Sequence, residues 1–471
     1  MKINNNISAI ISNKQLLRNE NALSKSMERL SSGFRINHAS DDPSGLSISN
    51  KMNTQIQGLD RASRNSSDGM SVIDTADGAM QEITSMIQRM RELSVQAAND
   101  LNSLSDKEAI QVEVENLKSE VDRIASTTEF NTKSLLDGSL DNRVYTEHVT
   151  RVQTSEKVED GKYLFKVETA ATRATFDTQK TLPDTLQNSG SVIFNGYEVS
   201  LEKGMTREEV YETLRKGAEI GNAEIVGEKD TNISYRSVDY GSDATLNVQV
   251  SNAELADELG IDMNGLNDKS TTPGKIPKGA NAQVTLDRSD ASQFKDHPQA
   301  TVHYKGNKIV ISDSNGFEMS MLLDAGYESS TDSITLDVTD IGPMALHIGA
   351  NEGQQMTVKV AAMDTKSLYI DDLDLTKQGG PSKAISQLDD ALAAVNKSRA
   401  NLGAYYNRLE HTVASLDTTS ENMNQAVSRI KDVDMATEMV EYTKDNVLQQ
   451  AGTSALAQAN ELPQMALQLL Q

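Results

Sequence analysis

The feature that most constrains this chain is a seven-residue apolar repeat in its C-terminal region. Apolar side chains occupy every seventh position from Leu388 to Ile430, and a companion series runs from Ile385 to Val427. Such a repeat predicts a long helix that packs one seam against another helix. Polar or bulky residues interrupt the companion series, so we expect an imperfect seam at Arg399, Tyr406 and Ser420.

Proline placement extends the helical prediction to both ends of the chain. No proline lies between Pro43 and Pro183, or between Pro381 and Pro463. Proline in a helix interior removes a hydrogen bond and clashes with the preceding turn, so both stretches can be long helices. Most of the prolines lie between them, where strand and turn signals replace the helical spacing.

The N-terminal arm carries further apolar stripes at helical spacing. They run from Ile48 to Leu59, from Met80 to Leu93 and from Ile110 to Ile124. The polar stretch from Asn65 to Gly69 predicts an interruption, and Ser105 to Glu108 predicts a capping box at the start of the last helix.

The segment GFRINHASDDPSG predicts a linker between two helices of this arm. Pro43 suits the first turn of the second helix, and the preceding polar residues are candidate caps: Ser40, Asp41 and Asp42.

The middle of the chain changes to strand-like alternation. Tight-turn pairs at Asn195-Gly196, Gly306-Asn307 and Asn315-Gly316 predict β-hairpins. A capping box from Thr206 to Glu209 predicts one helix among the strands. The expected fold is mainly α with an α+β insert. The two arms form a long antiparallel helical coiled coil or bundle, and the insert is a β-rich outer domain.

Composition excludes several classes of function. The net charge of -24 would repel a nucleic-acid backbone, and the chain has no cysteine for disulfides or thiolate chemistry. We expect no secretory signal and no membrane insertion, since no apolar run is long enough. The six histidines include no pair four residues apart around a glutamate, and phosphate-loop, dinucleotide and nucleophile-elbow motifs are absent. We therefore predict no catalytic, metal or cofactor-binding residues.

The outermost segments keep apolar residues that pairing of the two arms cannot cover. An isolated helix pair is marginal in water, and copies of the same chain could bury what remains exposed. The alternative is a monomeric coiled coil with frayed ends. The apolar pattern alone does not decide between open-ended assembly and this monomer. The residues of this predicted polymerisation stripe are Ile3, Ile7, Ile10, Leu17, Val440, Val447, Leu456, Leu467, Leu469 and Leu470.

Several motifs in this order resemble those of one protein family, the bacterial flagellins. The similar segments are SSGFRINHASDDPSGLSIS (31–49), QRMRELSVQAAND (88–100), LHIGANEGQQMTVKV (346–360), SRIKDVDMATEM (428–439) and QANELPQMALQLLQ (458–471). The resemblance implies a non-enzymatic subunit that self-assembles into the filament of the extracellular flagellum for motility. It also implies export of the unfolded chain by the flagellar type III apparatus, with an export chaperone on the C-terminal segment and hook-associated and cap proteins as partners.

The resemblance also implies a division into three domains. Residues 1–43 and 430–471 would form a terminal coiled-coil domain, and 44–142 and 344–429 an α-helical core domain with a small β-hairpin. Residues 143–343 would form a variable, surface-exposed α+β domain. A hook–filament junction protein and an exported coiled-coil adhesin are the alternatives.

Flagellins of this type are similar in presenting a core-domain surface to host Toll-like receptor 5. The residues that match are Arg89, Arg91, Glu92, Leu93, Gln96 and Glu113. Helical spacing places Arg89, Leu93 and Gln96 on one face, so we expect an exposed charged and apolar patch. The same face could instead pack on a neighbouring subunit.

Overall fold

The structure is a computed structural model, which describes residues 6–261, 277–324, 327 and 333–468. Long helices at both ends flank a β-rich middle, which confirms the predicted fold class. The helices are α1 Ile7–Ser32, α2 Pro43–Ala97, α3 Leu104–Thr127, α4 Arg207–Ile220, α5 Ala253–Glu258, α6 Gly380–Lys431 and α7 Met435–Gln468.

The strands lie between α3 and α6. They are β1 Glu129–Phe130, β2 Lys133–Ser134, β3 Arg143–Tyr145, β4 Val149–Thr154, β5 Gly161–Thr169, β6 Arg173–Thr181, β7 Gly190–Phe194, β8 Tyr197–Leu201, β9 Ala223–Val226, β10 Asn232–Tyr240, β11 Val248–Val250, β12 Gln283–Leu286, β13 Thr301–Lys305, β14 Lys308–Ser312, β15 Glu318–Leu323, β16 Ile334–Thr339, β17 Met344–His347 and β18 Gln355–Val358.

The chain divides into two compact units. One is drawn from residues 1–69, 346–356 and 408–471, and the other from 70–345 and 357–407. The predicted three-domain division is not tested by this two-way split and stays a prediction.

In the first unit, α1 and α7 run antiparallel. The Asn6 side-chain amide donates to the carbonyl oxygen of Ala459 at 2.7 Å, and the Ser26 hydroxyl donates to that of Glu438 at 3.4 Å. The segments that follow α1 and precede α7 also pair, because Arg35 N donates to Lys431 O at 2.7 Å. We call residues 33–35 and 431–433 the paired linkers.

The second unit contains a helical core and four larger sheets. Neighbouring strands within these sheets are antiparallel, in the orders β12-β5-β16-β3, β13-β14-β15-β4, β6-β10-β9 and β11-β7-β8. Two hydrophobic clusters fill the β-rich part, one around Tyr235 and the other around Tyr163 and Phe294.

The predicted helical stripes are buried along much of their length, although Ile48, at the start of the first stripe, is exposed. Met80, Ile83, Ile87 and Met90 on α2 are fully buried, and so are the first seam residues of α6, which are Leu388, Val395, Leu402 and Leu409. Two of the three seam positions expected to be weak make polar contacts instead, and the third, Tyr406, is half-buried. Within the second unit, Arg399 Nε lies 2.7 Å from Asp77 Oδ1. Within the first, the buried Ser420 donates to Asp60 at 3.2 Å.

The three predicted hairpins are present, with one difference in loop length. β7–β8 turns at Asn195-Gly196 and β13–β14 at Gly306-Asn307. The third, β14–β15, turns through residues 313–317, so Asn315-Gly316 lies in a five-residue connection and not in a two-residue turn. The capping box at Thr206 and Glu209 is confirmed at the start of α4.

Two predictions about the N-terminal arm were wrong. The capping box of α3 uses Ser103 and Asp106, because the helix begins at Leu104, two residues earlier than the sequence signal suggested. The helix α2 also continues without a break through the polar stretch expected to interrupt it. The Ser66 hydroxyl donates to the Ala62 carbonyl of the same helix at 2.8 Å, which satisfies it without leaving the helix.

Gly69 has a packing role in this continuous helix. A Cβ built on it would lie 2.5 Å from Leu346 Cδ1 and 3.3 Å from Leu409 Cδ1. The glycine therefore marks a close approach of side chains and not a helix end.

The predicted linker between the first two helices is confirmed. α1 ends at Ser32, Gly33 takes the left-handed conformation at φ +75°, and α2 begins at Pro43. The Asp42 carboxylate accepts from Gly45 N at 2.9 Å, so Asp42 is the cap. That hydrogen bond is the main cause of the lowered pKa of Asp42.

Candidate assembly and recognition surfaces

The facing sides of α1 and α7 are formed partly by small residues. Ser26 and Ala459 are buried, and a Cβ on Gly452 would lie 3.2 Å from Leu16 Cδ1. These small side chains allow the helices to approach closely. A pair of helices can bury only one stripe of each, which leaves the remaining apolar positions uncovered.

The predicted polymerisation stripe is exposed where the structure describes it. Ile7, Ile10 and Leu17 expose 65%, 62% and 54% of their surface, and Val440 and Val447 expose 68% and 59%. We call these five residues the terminal stripe. Leu456 is half-buried. Ile3, Leu469 and Leu470 lie outside the described residues, as does the side chain of Leu467.

Sequence reasoning missed several residues that extend this apolar surface. Ile11, Met435, Met439 and Leu448 are also exposed. They lie beside members of the stripe on the same helices, so a wider helical window would have found them. Exposed apolar side chains in such number on two adjacent helices indicate an interaction surface.

The paired linkers connect the end of α1 with the start of α7. Val433 N donates to Gly33 O at 3.0 Å, the guanidinium of Arg35 donates to Ile430 O, and Lys431 Nζ lies 4.3 Å from the Phe34 ring centre. The Asp434 carboxylate then accepts from the backbone nitrogen and the hydroxyl of Thr437 and from the backbone nitrogen of Ala436. These bonds cap α7 and lower the pKa of Asp434.

The predicted receptor patch lies on α2 and α3 in the second unit. Arg89 Nη2 lies 2.9 Å from Glu113 Oε1, and Arg89 Nη1 lies 3.3 Å from Glu92 Oε2. The Glu113 hydrogen bond is the main cause of the raised pKa of Arg89. Arg91 Nε lies 2.6 Å from Asp389 Oδ1 on α6. Gln96 is exposed.

The expected exposure of Leu93 was wrong. Its side chain is 2% exposed, because it follows Met90 by three residues and continues the buried stripe of α2. The exposed apolar residues near this patch are others: Val95, Leu101 and Val112. Asp389 was also missed, since no local signal connects it with Arg91, 298 residues away in sequence.

His297 contacts an aromatic ring and a carboxylate. His297 stacks on Phe317 with ring centres 4.1 Å apart, and its Nδ1 lies 3.6 Å from Asp313 Oδ2. An open cavity of about 290 Å³ beside it is lined by Glu159, Tyr163, Gln293, Asp296 and His297. Across the described ranges, no cluster of three or more histidine or acidic side chains could hold a metal ion. No helix among those residues is long and apolar enough to cross a membrane.

Asp141 provides a pH-sensitive contact at the start of the β-rich region. Burial raises its pKa from 3.8 to about 6, against the opposing effects of Asn142 N and Lys359. A raised folded-state pKa favours the protonated form on folding. The stabilisation is therefore complete below pH 3.8 and is lost as the pH rises through 6.

Asp141→Asn should remove this pH dependence, since an amide has no proton to lose. We expect the unfolding free energy of the parent to fall by on the order of 1–2 kcal/mol between pH 4 and pH 7 relative to the variant. Urea unfolding followed by circular dichroism at several pH values measures the difference. Parallel pH profiles for parent and variant would contradict the assignment.

The family profiles and the sequence relatives that match this chain agree on one family. The profile of the bacterial flagellin N-terminal helical region matches residues 3–141, and that of the C-terminal helical region matches residues 385–470. Flagellin D of Vibrio anguillarum is 33% identical over 470 residues, which cover 100% of this chain and 99% of that protein. A flagellin of Clostridium tyrobutyricum is 32% identical over 468 residues, covering 98% and 100%.

Among solved structures, the crystal structure of Bacillus cereus flagellin covers 77% of this chain and 94% of that chain at 18% identity and a TM-score of 0.28. The sequence relatives align over much more of the chain. Their alignments include the β-rich middle as well as the helical ends.

Proposed function

The chain belongs to the bacterial flagellin family and is a subunit of the extracellular flagellar filament, and we propose that it polymerises through the terminal stripe. The observation that carries this proposal is the exposure of five large apolar residues on the antiparallel pair α1 and α7. Full burial of such a side chain contributes about 1.5–3 kcal/mol, so covering the stripe with neighbouring copies favours assembly. A contact between different patches that does not close extends into a fibre.

The remaining roles follow from family membership as proposals. The subunit is exported unfolded by the flagellar type III apparatus, with a chaperone on its C-terminal segment, and it contacts hook-associated and cap proteins in the flagellum. Its terminal, core and variable domains have the boundaries predicted above. It has no enzymatic role, in keeping with the structural function of its relatives.

A truncation experiment tests polymerisation through the ends. The purified full chain and a chain lacking residues 1–40 and 431–471 are mixed with short filament seeds and examined by negative-stain electron microscopy. Only the full chain should elongate the seeds. If the full chain stays monomeric, the polymerisation proposal fails, and the alternatives are a hook–filament junction protein or a monomeric adhesin.

We also propose that the Arg89–Glu113 surface is recognised by Toll-like receptor 5. Support comes from the position of both side chains, which are about half exposed and lie 2.9 Å apart on neighbouring helices. Glu92, 3.3 Å from Arg89, and Gln96, one helical turn further on, extend this surface, and the proposal includes Arg91, which contacts Asp389 on α6. Leu93 would act from the core by holding α2 in place. Arginine is frequent at the energetic centres of interfaces, where it contributes through desolvated contacts.

Replacing Arg89 and Glu113 with alanine should weaken receptor signalling about tenfold or more, measured as the half-maximal concentration in receptor reporter cells. The matched control is Arg123→Ala with Glu120→Ala, which removes an ion pair of similar exposure elsewhere on α3. Equal signalling by both double variants would exclude the patch.

A further inference from the structure

Asn–Gly pairs are chemically vulnerable positions in proteins. The glycine lacks a Cβ, so its backbone nitrogen can reach the carbonyl carbon of the preceding asparagine side chain. This chain has three such pairs, at 195–196, 264–265 and 315–316. The second lies outside the described residues. The first and third are both in hairpin turns, which allows the same dipeptide to be compared in two surroundings.

The asparagine side chain of the first pair is held in place. Asn195 Nδ2 donates to Gly221 O at 2.7 Å, and Asn195 Oδ1 accepts from Asn247 N at 2.8 Å. Its backbone N also donates to Asn247 O at 2.8 Å. Both side-chain hydrogen bonds would have to break before the amide could turn towards the Gly196 nitrogen.

The asparagine of the third pair is much less restrained. Asn315 is exposed, and its Nδ2 makes one long contact of 3.4 Å with Asp313 Oδ2. The following nitrogen, Gly316 N, donates to Asp313 O at 3.2 Å, which is also long. The space around Gly316 is open, since the nearest atom to a Cβ built there is Lys157 Cγ at 3.8 Å.

We propose that Asn315 is a site of spontaneous deamidation in the folded subunit. Hydroxide removes the proton of Gly316 N, and that nitrogen then forms a bond to Asn315 Cγ. The Cγ–Nδ2 bond breaks, and Nδ2 takes a proton from water and leaves as ammonia. Water opens the resulting cyclic imide, giving aspartate or isoaspartate according to which carbonyl it attacks. The net change is one water consumed and one ammonia released, without oxidation or reduction.

The product alters a contact with a nearly buried carboxylate. The Asp313 side chain is only 3% exposed and accepts from Ser314 Oγ and Asn315 Nδ2. Deamidation replaces the Asn315 donor with a second carboxylate, so a favourable contact becomes repulsive.

The hairpin tip also transmits the change to a neighbouring strand. Ser155, directly after β4, donates through Oγ to Gly316 O at 3.0 Å and accepts from Glu318 N at 2.9 Å. An isoaspartate inserts an additional backbone carbon beside Gly316. We expect the contact between this tip and the end of β4 to loosen in the modified chain.

Site-resolved mass spectrometry tests the proposal. The folded full chain is incubated at mildly alkaline pH, and the mass gain of amide-to-acid conversion is followed at each asparagine. We expect Asn315 to convert at least about tenfold faster than Asn195, because two hydrogen bonds hold Asn195. In urea, where the fold is lost, both should convert at similar rates.

Asn315→Gln is the matched variant. Its longer side chain keeps the amide but disfavours closure of the same imide ring, so conversion at position 315 should disappear while Asn195 is unchanged. Equal conversion of Asn195 and Asn315 in the folded chain would overturn the proposal. So would an Asn315 that converts in urea but stays intact in the folded chain.

Discussion

Replacing both Ile10 and Leu17 with serine should stop seeded filament growth while leaving the rest of the chain folded. The two residues lie seven apart on α1 and expose 62% and 54% of their surface, so their replacement creates no cavity in the single chain. Only the exposed part of each side chain is newly buried between copies, so the two together lose on the order of 2–3 kcal/mol, and the subunit concentration needed for growth should rise at least about tenfold. Electron microscopy and turbidity after seeding measure that concentration.

The control for this variant is Asn13→Ser with Asn21→Ser. Both asparagines are exposed on α1, so the control also introduces two serines into the same helix without removing apolar surface. It should elongate seeds like the parent. Growth of the Ile10/Leu17 variant at the parental concentration would show that α1 does not contribute its apolar stripe to assembly. Val440→Ser with Val447→Ser makes the same test on α7.

Gly342→Ala should be among the most destabilising single substitutions in the second unit. Gly342 has φ +126°, a conformation that side chains rarely adopt, and an added Cβ would lie 2.1 Å from the carbonyl oxygen of Asp141. Neither the added Cβ nor the Asp141 oxygen can move without shifting the backbone, since Arg143 N donates a hydrogen bond to Ile341 O at 3.2 Å. We expect a loss of about 3 kcal/mol or more in unfolding free energy, measured by urea denaturation.

Gly379→Ala separates backbone strain from steric clash. Gly379 also has positive φ, at +75°, but no atom lies within 4 Å of the added Cβ. The left-handed conformation alone costs about 1–2 kcal/mol for a residue with a side chain. If Gly342→Ala lowers the unfolding free energy no more than Gly379→Ala does, the Asp141 carbonyl moves aside at little energetic cost, contrary to this prediction.

Regular periodicity made much of the fold predictable from the sequence. Apolar residues at helical or seven-residue spacing specify a helix and its buried face, so the existence of α2, α3 and α6 and many of their core residues followed from spacing. The unbroken course of α2 and the start of α3 did not. Hairpin turns were equally accessible, because Asn and Gly accept positive φ at low cost. The exposed terminal stripe followed from a simple excess of apolar positions over the partner helix available to cover them.

The errors occurred where local signals competed. Ser103 and Ser105 both precede plausible partners three residues on, and the sequence offered no means to choose between Asp106 and Glu108. Leu93 suited both a surface patch and a buried stripe, and the packing of α2 decided for the stripe. The Arg91–Asp389 contact depends on how distant helices pack, which no local pattern encodes.

The paired linkers have a kinetic consequence for the subunit. They join residues near opposite ends of the sequence, and beyond them the bond from Asn6 to Ala459 spans 453 positions. Contacts of such high sequence separation form late, because a large loop must close before they contribute. A chain emerging from either end therefore cannot complete the α1–α7 pair until its final segment has arrived. The time at which α1 and α7 can pair is therefore set by the last residues of the chain to become available.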